Sequence, residues 1–120
     1  INTAIEVDLF GQVNAEFVDG FQVSGTGGSV DFMRAAKLSK NGRSIIAMAS
    51  TARGGKISRI VPRVEMVTAL RTDVDMVITE FGIARLKNTS WNDRAKKLIE
   101  IAHPKFRDEL HATFFSNKNQ

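Results

Sequence analysis

The chain has 120 residues, of which 42% are hydrophobic, and it carries a formal net charge of +4. This length predicts one domain, and this apolar fraction is enough for a packed core and too high for a disordered chain. No apolar run approaches the ~18 residues of a membrane span. Cysteine is absent, which excludes disulfides and thiolate metal sites. The basic residues are dispersed, so the charge is compatible with an anionic small molecule and equally with nucleic acid.

A β-hairpin is the first predicted element. Apolar residues alternate with Glu6 and Asp8 before Gly11, and they alternate again over residues 13–17. A period of two with a glycine turn between the segments is typical of two neighbouring strands. The chain begins at Ile1, without Met and directly in this pattern, so we expect it to be cut from a longer protein.

A glycine-rich loop, Ser24-Gly25-Thr26-Gly27-Gly28-Ser29, precedes a helix that we predict over residues 30–38. Glycine lets a ligand approach the backbone closely, and the start of a helix carries unpaired N–H groups and a partial positive charge. The loop could therefore hold an anion or a developing oxyanion. A tight turn without a ligand explains the same spacing equally well.

Two apolar segments, residues 44–49 and 74–79, predict strands that are buried within a sheet. Between them we expect a polar loop over residues 51–56 and, because of Pro62, an edge strand over 57–64. Glu80 follows the second buried strand, at the carboxyl end where ligands of α/β sheets gather. Partial shielding there would raise the pKa of its carboxyl group, and a local cap or salt bridge is the alternative role.

The C-terminal third predicts two helices. Ser90 and Asp93 have the spacing of a capping box, and His103-Pro104 ends the first helix and begins the second. We expect His103 to be structural. Strands that alternate with helices predict an α/β domain with a mixed sheet flanked by helices. Apolar residues at helical spacing predict the buried face of the first helix: Trp91, Ala95, Leu98, Ile99 and Ala102.

Four segments, in this order and spacing, resemble the C-terminal part of the acetyl-CoA hydrolase/transferase family, which includes acetate, succinate and 4-hydroxybutyrate CoA-transferases. Their most specific parts are Asn-Thr-Ala-Ile-Glu at 2–6, Ser-Gly-Thr-Gly-Gly at 24–28, Val-Ile-Thr-Glu-Phe-Gly at 77–82 and His-Pro-Lys-Phe-Arg at 103–107. The resemblance implies the C-terminal half of a two-domain enzyme, whose active site lies between this domain and a similar N-terminal domain.

The resemblance also implies a reaction. A glutamate attacks an acyl-CoA thioester and passes through an anhydride to a glutamyl-CoA thioester. The segment with this glutamate lies outside the chain, so neither Glu6 nor Glu80 is the nucleophile, and we expect the chain alone to be inactive. The implied partners are acyl-CoA, a small carboxylate such as acetate or 4-hydroxybutyrate, the N-terminal domain, and further copies in a homo-oligomer. CoA is a substrate, and we expect no resident cofactor, metal, membrane or nucleic acid, and a cytoplasmic location.

Five residues are implied to contact the thioester end of CoA. The backbone N–H of Gly28 would donate to the oxyanion. Ser24 would lie beside the pantetheine arm, in the same CoA-binding loop as Gly25 and Gly27. The main chain near Ile5 would line the same channel.

Two further residues are implied to contact charged parts of the substrates. Arg53 matches a position that is Lys in relatives and would meet a CoA phosphate, which Arg suits at least as well. Should the alignment slip there, Lys56 is the next candidate. Glu80 matches a glutamate close to the pocket of the acceptor carboxylate.

Two alternatives stay open. In an acyl-CoA hydrolase, water would take the acyl group in place of a carboxylate. In a basic nucleic-acid-binding module, the positive charge itself would carry the function. Against the second, the basic residues are dispersed, Tyr is absent, and the Phe residues lie at core spacings.

Overall fold

The computed structural model describes residues 1–15, 17–18, 21–22, 44–70 and 73–118, with the backbone alone at 17–18, 21–22 and 117–118. The predicted glycine loop and the predicted helix over 30–38 lie outside the described residues. Ten strands and two helices are described: β1 (Glu6–Asp8), β2 (Val13–Asn14), β3 (Phe17–Val18), β4 (Phe21–Gln22), β5 (Ile45–Ala47), β6 (Thr51–Ala52), β7 (Ile57–Ser58), β8 (Ile60–Val61), β9 (Met76–Thr79), β10 (Gly82–Arg85), α1 (Trp91–Ile101) and α2 (Pro104–Lys118).

Two three-stranded mixed sheets form the framework, in the orders β2-β1-β8 and β10-β9-β5. The predicted N-terminal hairpin is confirmed, since β1 pairs antiparallel with β2, and β1 also pairs parallel with β8. In the second sheet, β9 runs parallel to β5 and antiparallel to β10. A parallel bridge between Asn2 and Ile46 joins the two sheets. The prediction of an α/β domain with a mixed sheet is therefore confirmed.

The hydrophobic core lies between these sheets and helix α1. Val7, Ile46 and Val77 contribute from β1, β5 and β9, and each is fully buried. Helix α1 begins at the predicted cap, where the Ser90 side chain accepts a hydrogen bond from the Asp93 N–H at 3.2 Å. Its predicted buried face is confirmed for the residues beyond the first turn: Ala95, Leu98, Ile99 and Ala102.

Trp91 was expected in the core, and this expectation is wrong, because its side chain is 56% exposed. Helical side chains tilt towards the helix N-terminus, so the side chain of the first residue extends past the end of the helix. The indole instead meets the Phe10 ring edge-on, with 5.5 Å between the ring centroids.

Three strand assignments differ from the sequence-based expectation. The expected polar loop over 51–56 includes strand β6, which pairs with β7 in a hairpin. The expected strand over 57–64 is divided at Arg59 into β7 and β8. Strand β10 was not predicted, because its only buried residue is Ala84 and its short alternation gave no clear apolar run.

Asp8 fixes the turn between β1 and β2. Its carboxylate is fully buried. One oxygen accepts the backbone N–H groups of Phe10 and Gln12, each at 3.0 Å. The other accepts the Gln12 side-chain amide at 2.9 Å and the Val64 N–H at 3.2 Å. Asp8 thus connects the hairpin turn to the segment that follows β8.

We expect Asp8→Asn to lower the free energy of unfolding by about 2 kcal/mol, because a buried donor left without an acceptor costs about 1–3 kcal/mol. Gln12 can turn its amide to accept from the new NH₂ group, but the Val64 N–H has no such adjustment. Urea unfolding of the 120-residue chain measures the change, with the exposed Asp108→Asn as the matched control. Equal stability of the two variants would contradict the role given to Asp8.

Candidate functional site

The candidate site lies where the parallel strands β5 and β9 end. Ala47 pairs with Ile78, so both strands reach the same edge of the sheet. Ser50 follows β5 and Glu80 follows β9, and the Ser50 N–H donates to Glu80 Oε1 at 2.7 Å. Glu80 therefore lies at a carboxyl edge, as the sequence predicts. We call this contact and its two flanking turns the Glu80 corner.

The expected rise in the pKa of Glu80 is wrong, because the structure lowers it. The largest cause is a hydrogen bond from the backbone N–H of Glu80 itself, and the Ser50 N–H and the charge of His103 act in the same direction. Desolvation opposes them and is outweighed, since Glu80 is exposed. Hydrogen bonds to the charged form favour it, so Glu80 is a carboxylate at neutral pH.

Helix α2 supplies the other wall of the Glu80 corner. The His103 ring meets Phe81 edge-on at 5.4 Å between centroids, and the Arg107 guanidinium lies 5.5 Å from the centre of the same ring. His103 Nδ1 accepts the Lys105 N–H at 3.1 Å, which satisfies a backbone donor in the first turn of α2. This contact agrees with the structural role predicted for His103.

Thr79 attaches the turn between β9 and β10 to the end of helix α1. Its hydroxyl donates to the Ile101 carbonyl at 2.6 Å and accepts the Phe81 N–H at 3.1 Å. Arg107 closes the junction of the helices, because its Nε donates to the Ala102 carbonyl at 2.9 Å. The positions of Glu80 and of the start of α2 are thereby linked.

The hairpin of β6 and β7 carries Arg53 at its tip. Arg53, Gly54 and Gly55 have φ angles of 52°, 65° and 89°, a left-handed run that is uncommon for a residue with a Cβ. Lys56 N–H donates to the Arg53 carbonyl at 3.3 Å and closes the turn. A Cβ atom at either glycine would meet nothing within 4 Å, so the space around the tip is open. Arg53 and Lys56 are both exposed.

Backbone hydrogen bonds connect the Glu80 corner to the first sheet. The Arg59 N–H donates to the Ser50 carbonyl at 2.8 Å, and the Val7 N–H donates to the Arg59 carbonyl at 2.9 Å. Ile5 lies two residues before Val7, is half-buried, and donates its N–H to the Asn14 carbonyl at 2.8 Å. The structure thus brings Glu80 and Arg53 to one edge and leaves Ile5 in the neighbouring sheet.

The remaining predicted site residues, Ser24, Gly25, Gly27 and Gly28, lie outside the described residues. Sequence reasoning missed the contact of Ser50 with Glu80 and the contact of Lys105 with the hairpin of β6 and β7. Ser50 could have been found as the first polar residue after a buried strand that has a parallel partner. The Lys105 ammonium donates to the Gly55 carbonyl at 3.0 Å, and no spacing rule signals this contact across 50 positions.

A concave surface lies at the opposite end of helix α1 from the Glu80 corner. It is a cavity of about 350 Å³, and the Arg63 guanidinium lies 5.2 Å from the centre of the Phe10 ring at its wall. The lining residues are Phe10, Pro62, Arg63, Trp91, Asn92, Thr113 and Phe114.

Within the described ranges, no group of three His, Asp or Glu side chains is arranged to hold a metal ion. No helix in the same part of the chain is both long and apolar enough to cross a membrane.

Comparisons with known proteins point to one family. The model of the acetyl-CoA hydrolase/transferase C-terminal domain matches residues 1–114. A 4-hydroxybutyrate coenzyme A transferase from Clostridium kluyveri is 51% identical over 117 residues, which is 95% of this chain and 27% of that protein.

Solved structures agree with this family. RipA from Yersinia pestis superimposes with a TM-score of 0.87 at 47% identity, over 96% of this chain and 27% of that one. A 4-hydroxybutyrate CoA-transferase from Porphyromonas gingivalis gives a TM-score of 0.79 at 41% identity, over 97% and 26%. The chain therefore spans about a quarter of the length of the relatives it matches.

We expect Glu80→Gln to destabilise the chain at neutral pH and to matter less in acid. Glu80 has a lowered pKa in the folded state, so its contribution is present above the ordinary glutamate pKa of about 4.3 and is lost as the pH falls through the folded value. Urea unfolding at pH 7 and at successively lower pH measures this, with the exposed Glu100→Gln as control. If the loss of unfolding free energy caused by Glu80→Gln grew as the pH fell, the predicted direction of the pH dependence would be wrong.

Proposed function

Because the chain belongs to the acetyl-CoA hydrolase/transferase C-terminal domain family, we propose that the full-length protein is a CoA-transferase. It moves CoA between an acyl-CoA and a small carboxylic acid through a glutamyl-CoA thioester, whose glutamate lies outside this chain. The observation that carries the proposal is the 51% identity to a 4-hydroxybutyrate coenzyme A transferase over 95% of the chain. Acetate, 4-hydroxybutyrate and acids of similar size are the proposed acceptors.

In the proposed reaction, the glutamate carboxylate attacks the thioester carbonyl, the C–S bond breaks, and CoA leaves as its thiolate. The thiolate then attacks the glutamyl carbonyl of the resulting anhydride and releases the original acyl group as a carboxylate. An acceptor carboxylate attacks the glutamyl-CoA thioester, and the same two steps run in reverse. Each attack places negative charge on a carbonyl oxygen, so donors directed at that oxygen lower the barrier.

We assign the parts of this domain accordingly. The backbone N–H of Gly28 donates to the oxyanion, and Ser24, Gly25 and Gly27 hold the pantetheine arm. The Ile5 main chain lines the same channel.

Arg53 binds a CoA phosphate. The open space at the tip of its hairpin supports this assignment, because an anion can approach the exposed Arg53 there.

Glu80 borders the acceptor pocket as an ionised carboxylate. A second carboxylate in the pocket would be repelled, and a cation is therefore needed nearby. We propose that the N-terminal domain, which lies outside this chain, supplies this cation. Glu80 acts by its charge and its hydrogen bond to Ser50 and does not donate a proton, since its pKa is lowered.

Acyl-CoA hydrolysis is the second candidate, because the matching family description names both hydrolases and transferases. We further propose that the full-length enzyme works in the cytoplasm as a homo-oligomer, with CoA as substrate and no resident cofactor.

The full-length protein should be assayed with acetyl-CoA in the presence and absence of 4-hydroxybutyrate. A transferase forms 4-hydroxybutyryl-CoA and releases little free CoA without the acceptor. Rapid release of free CoA in both mixtures would favour the hydrolase. If neither 4-hydroxybutyryl-CoA nor free CoA forms, both proposals are contradicted.

In the full-length enzyme, we expect Gly28→Ala to lower kcat by about 10²–10³, the loss typical of one oxyanion donor. A Cβ atom there would hold the thioester away from the N–H group. Steady-state kinetics give kcat, and circular dichroism shows whether the variant is folded. An unchanged kcat in a folded variant would mean that the loop is only a turn.

We expect Arg53→Ala to raise KM for acyl-CoA with a smaller change in kcat, because a phosphate contact remote from the reacting atoms binds substrate and transition state alike. The effect should weaken as salt rises. Kinetics at two ionic strengths measure it, with Lys96→Ala on the exposed side of α1 as control. If KM changes for Lys56→Ala and not for Arg53→Ala, the assignment moves to Lys56.

A further inference from the structure

Two serine residues flank strand β5 in matching ways. Ser44 precedes the strand, and its N–H donates to Asp75 Oδ2 at 2.9 Å. Ser50 follows a short distance after the strand, and its N–H donates to Glu80 Oε1 at 2.7 Å. The exposed fractions of Ser44 and Ser50 are 2% and 0%. The parallel strands β5 and β9 therefore have one pair of a buried serine and a carboxylate near each end.

The hydroxyl groups of both serines are unpaired. In the part of the chain that the structure describes, Ser44 Oγ and Ser50 Oγ are buried and have no hydrogen-bond partner. Buried polar side chains are nearly always hydrogen-bonded, so such a hydroxyl is a candidate for a contact that forms in another state of the protein.

The carboxylates beside the two serines differ. Asp75 is buried, whereas Glu80 is exposed at the carboxyl edge of the sheet, where ligands of α/β sheets gather. The Ser50 hydroxyl lies close enough to Glu80 to lower the pKa of its carboxyl group, although it forms no hydrogen bond of good geometry. Rotation about one side-chain torsion is enough to direct this hydroxyl at the carboxylate.

An acceptor carboxylate gives Glu80 a need for this second donor. Two negative groups in one pocket repel, and the repulsion favours protonation or displacement of Glu80. Glu80 already accepts the Ser50 N–H through Oε1. A hydroxyl hydrogen bond to the same carboxylate would stabilise its charged form further.

We propose that Ser50 is a positioning residue, whose hydroxyl donates to the Glu80 carboxylate and keeps Glu80 in place and ionised when an acceptor acid binds. This inference rests on the proposed function, which places Glu80 beside the acceptor pocket. Ser50 acts through Glu80, because its own side chain is buried.

Other charged groups on the elements packed around Glu80 are the same in the parent and in Ser50→Ala, so a comparison of the two isolates the hydroxyl. The basic groups are Arg53, Lys56, Arg59, His103, Lys105 and Arg107. The acidic groups are Glu100, Asp108 and Glu109.

Kinetics of the full-length enzyme test the proposal. Glu80 acts by its charge, so kcat/KM for 4-hydroxybutyrate should fall as the pH falls through the Glu80 pKa. We expect Ser50→Ala to move this acid limb to higher pH by about one unit, the size expected for the loss of one hydrogen bond to a charged group. Ser44→Ala, which removes the matching hydroxyl at the other end of β5, should leave the limb in place. The acceptor's own titration is the same in every variant.

A double-mutant cycle shows whether Ser50 acts through Glu80. In the Glu80→Gln background, Ser50→Ala should leave the pH profile unchanged, because the group that the hydroxyl stabilises is already neutral. A shift of the same size in both backgrounds would contradict the proposal.

Thermal unfolding of the full-length protein gives a readout that does not depend on activity. The lowered pKa of Glu80 stabilises the folded state above the ordinary glutamate pKa, and this stability is lost as the pH falls through the folded value. We therefore expect Ser50→Ala to lower Tm at pH 7 and to matter less in acid. Ser44→Ala should show no such pH dependence.

Two results would overturn the proposal. One is a pH profile of Ser50→Ala that superimposes on that of an active parent. The other is an equal Tm change for Ser44→Ala and Ser50→Ala at every pH, which would mean that both hydroxyls only fill space. If the parent transfers no CoA, the proposed function fails and the role towards the acceptor falls with it, whereas the unfolding comparison still decides whether the hydroxyl binds Glu80.

Discussion

The hydrogen bond from the Ser50 amide to the Glu80 carboxylate connects the main parts of the candidate site. It joins the chain that leaves β5 to the turn that follows β9, and the two strands are already fixed in parallel register. From Ser50 the chain continues directly into the hairpin that carries Arg53. From Glu80 it continues through Phe81, which packs against His103, just before α2, and against Arg107 of α2. A shift at this contact would move the hairpin relative to α2.

The same contact explains the electrostatics of the corner. An exposed carboxylate that accepts backbone N–H groups is stabilised in its charged form, and the charge of His103 adds to this. Burial at the strand end would have had the opposite effect, and this was the basis of the sequence-based expectation. The outcome is decided by geometry: the turn exposes the carboxylate and also directs donors at it. A hydrogen-bonded anion of this kind is suited to fixing structure and is poorly suited to donating protons.

Much of the framework is predictable from periodicity and caps. The hairpin around Gly11, the existence of strands β5 and β9, the Ser90 cap and the break at Pro104 all follow from local signals, although both strands alternate between buried and half-buried residues. Trp91 was wrongly predicted to be buried because helical spacing treats every position on one face alike. As the first residue of α1, Trp91 has no preceding helical turn to pack over. Strand β10 was missed because its sequence contains no apolar run. Its backbone hydrogen bonds with β9 form the strand, and they leave no signal in the sequence.

The site itself is less predictable, since its contacts join residues that are distant in sequence. Ser50 meets Glu80 across 30 positions, and Lys105 meets Gly55 across 50. Such contacts depend on how the strands pair and on where α2 starts, and neither follows from local pattern. Resemblance to a family identifies Arg53 and Glu80 as candidates but does not say that they lie on one edge, linked by Ser50.

The way α2 is attached has a consequence for the hairpin of β6 and β7. Its start is held by Arg107 on the Ala102 carbonyl, by His103 on the Lys105 N–H, and by Lys105 on Gly55. The Lys105 side chain is therefore held at both ends, at its backbone N–H and at its ammonium group. A left-handed turn with two glycines would be flexible alone, and the contact from α2 restrains it. Helix α2 thus supports the hairpin tip, and the position of the tip depends on both elements together.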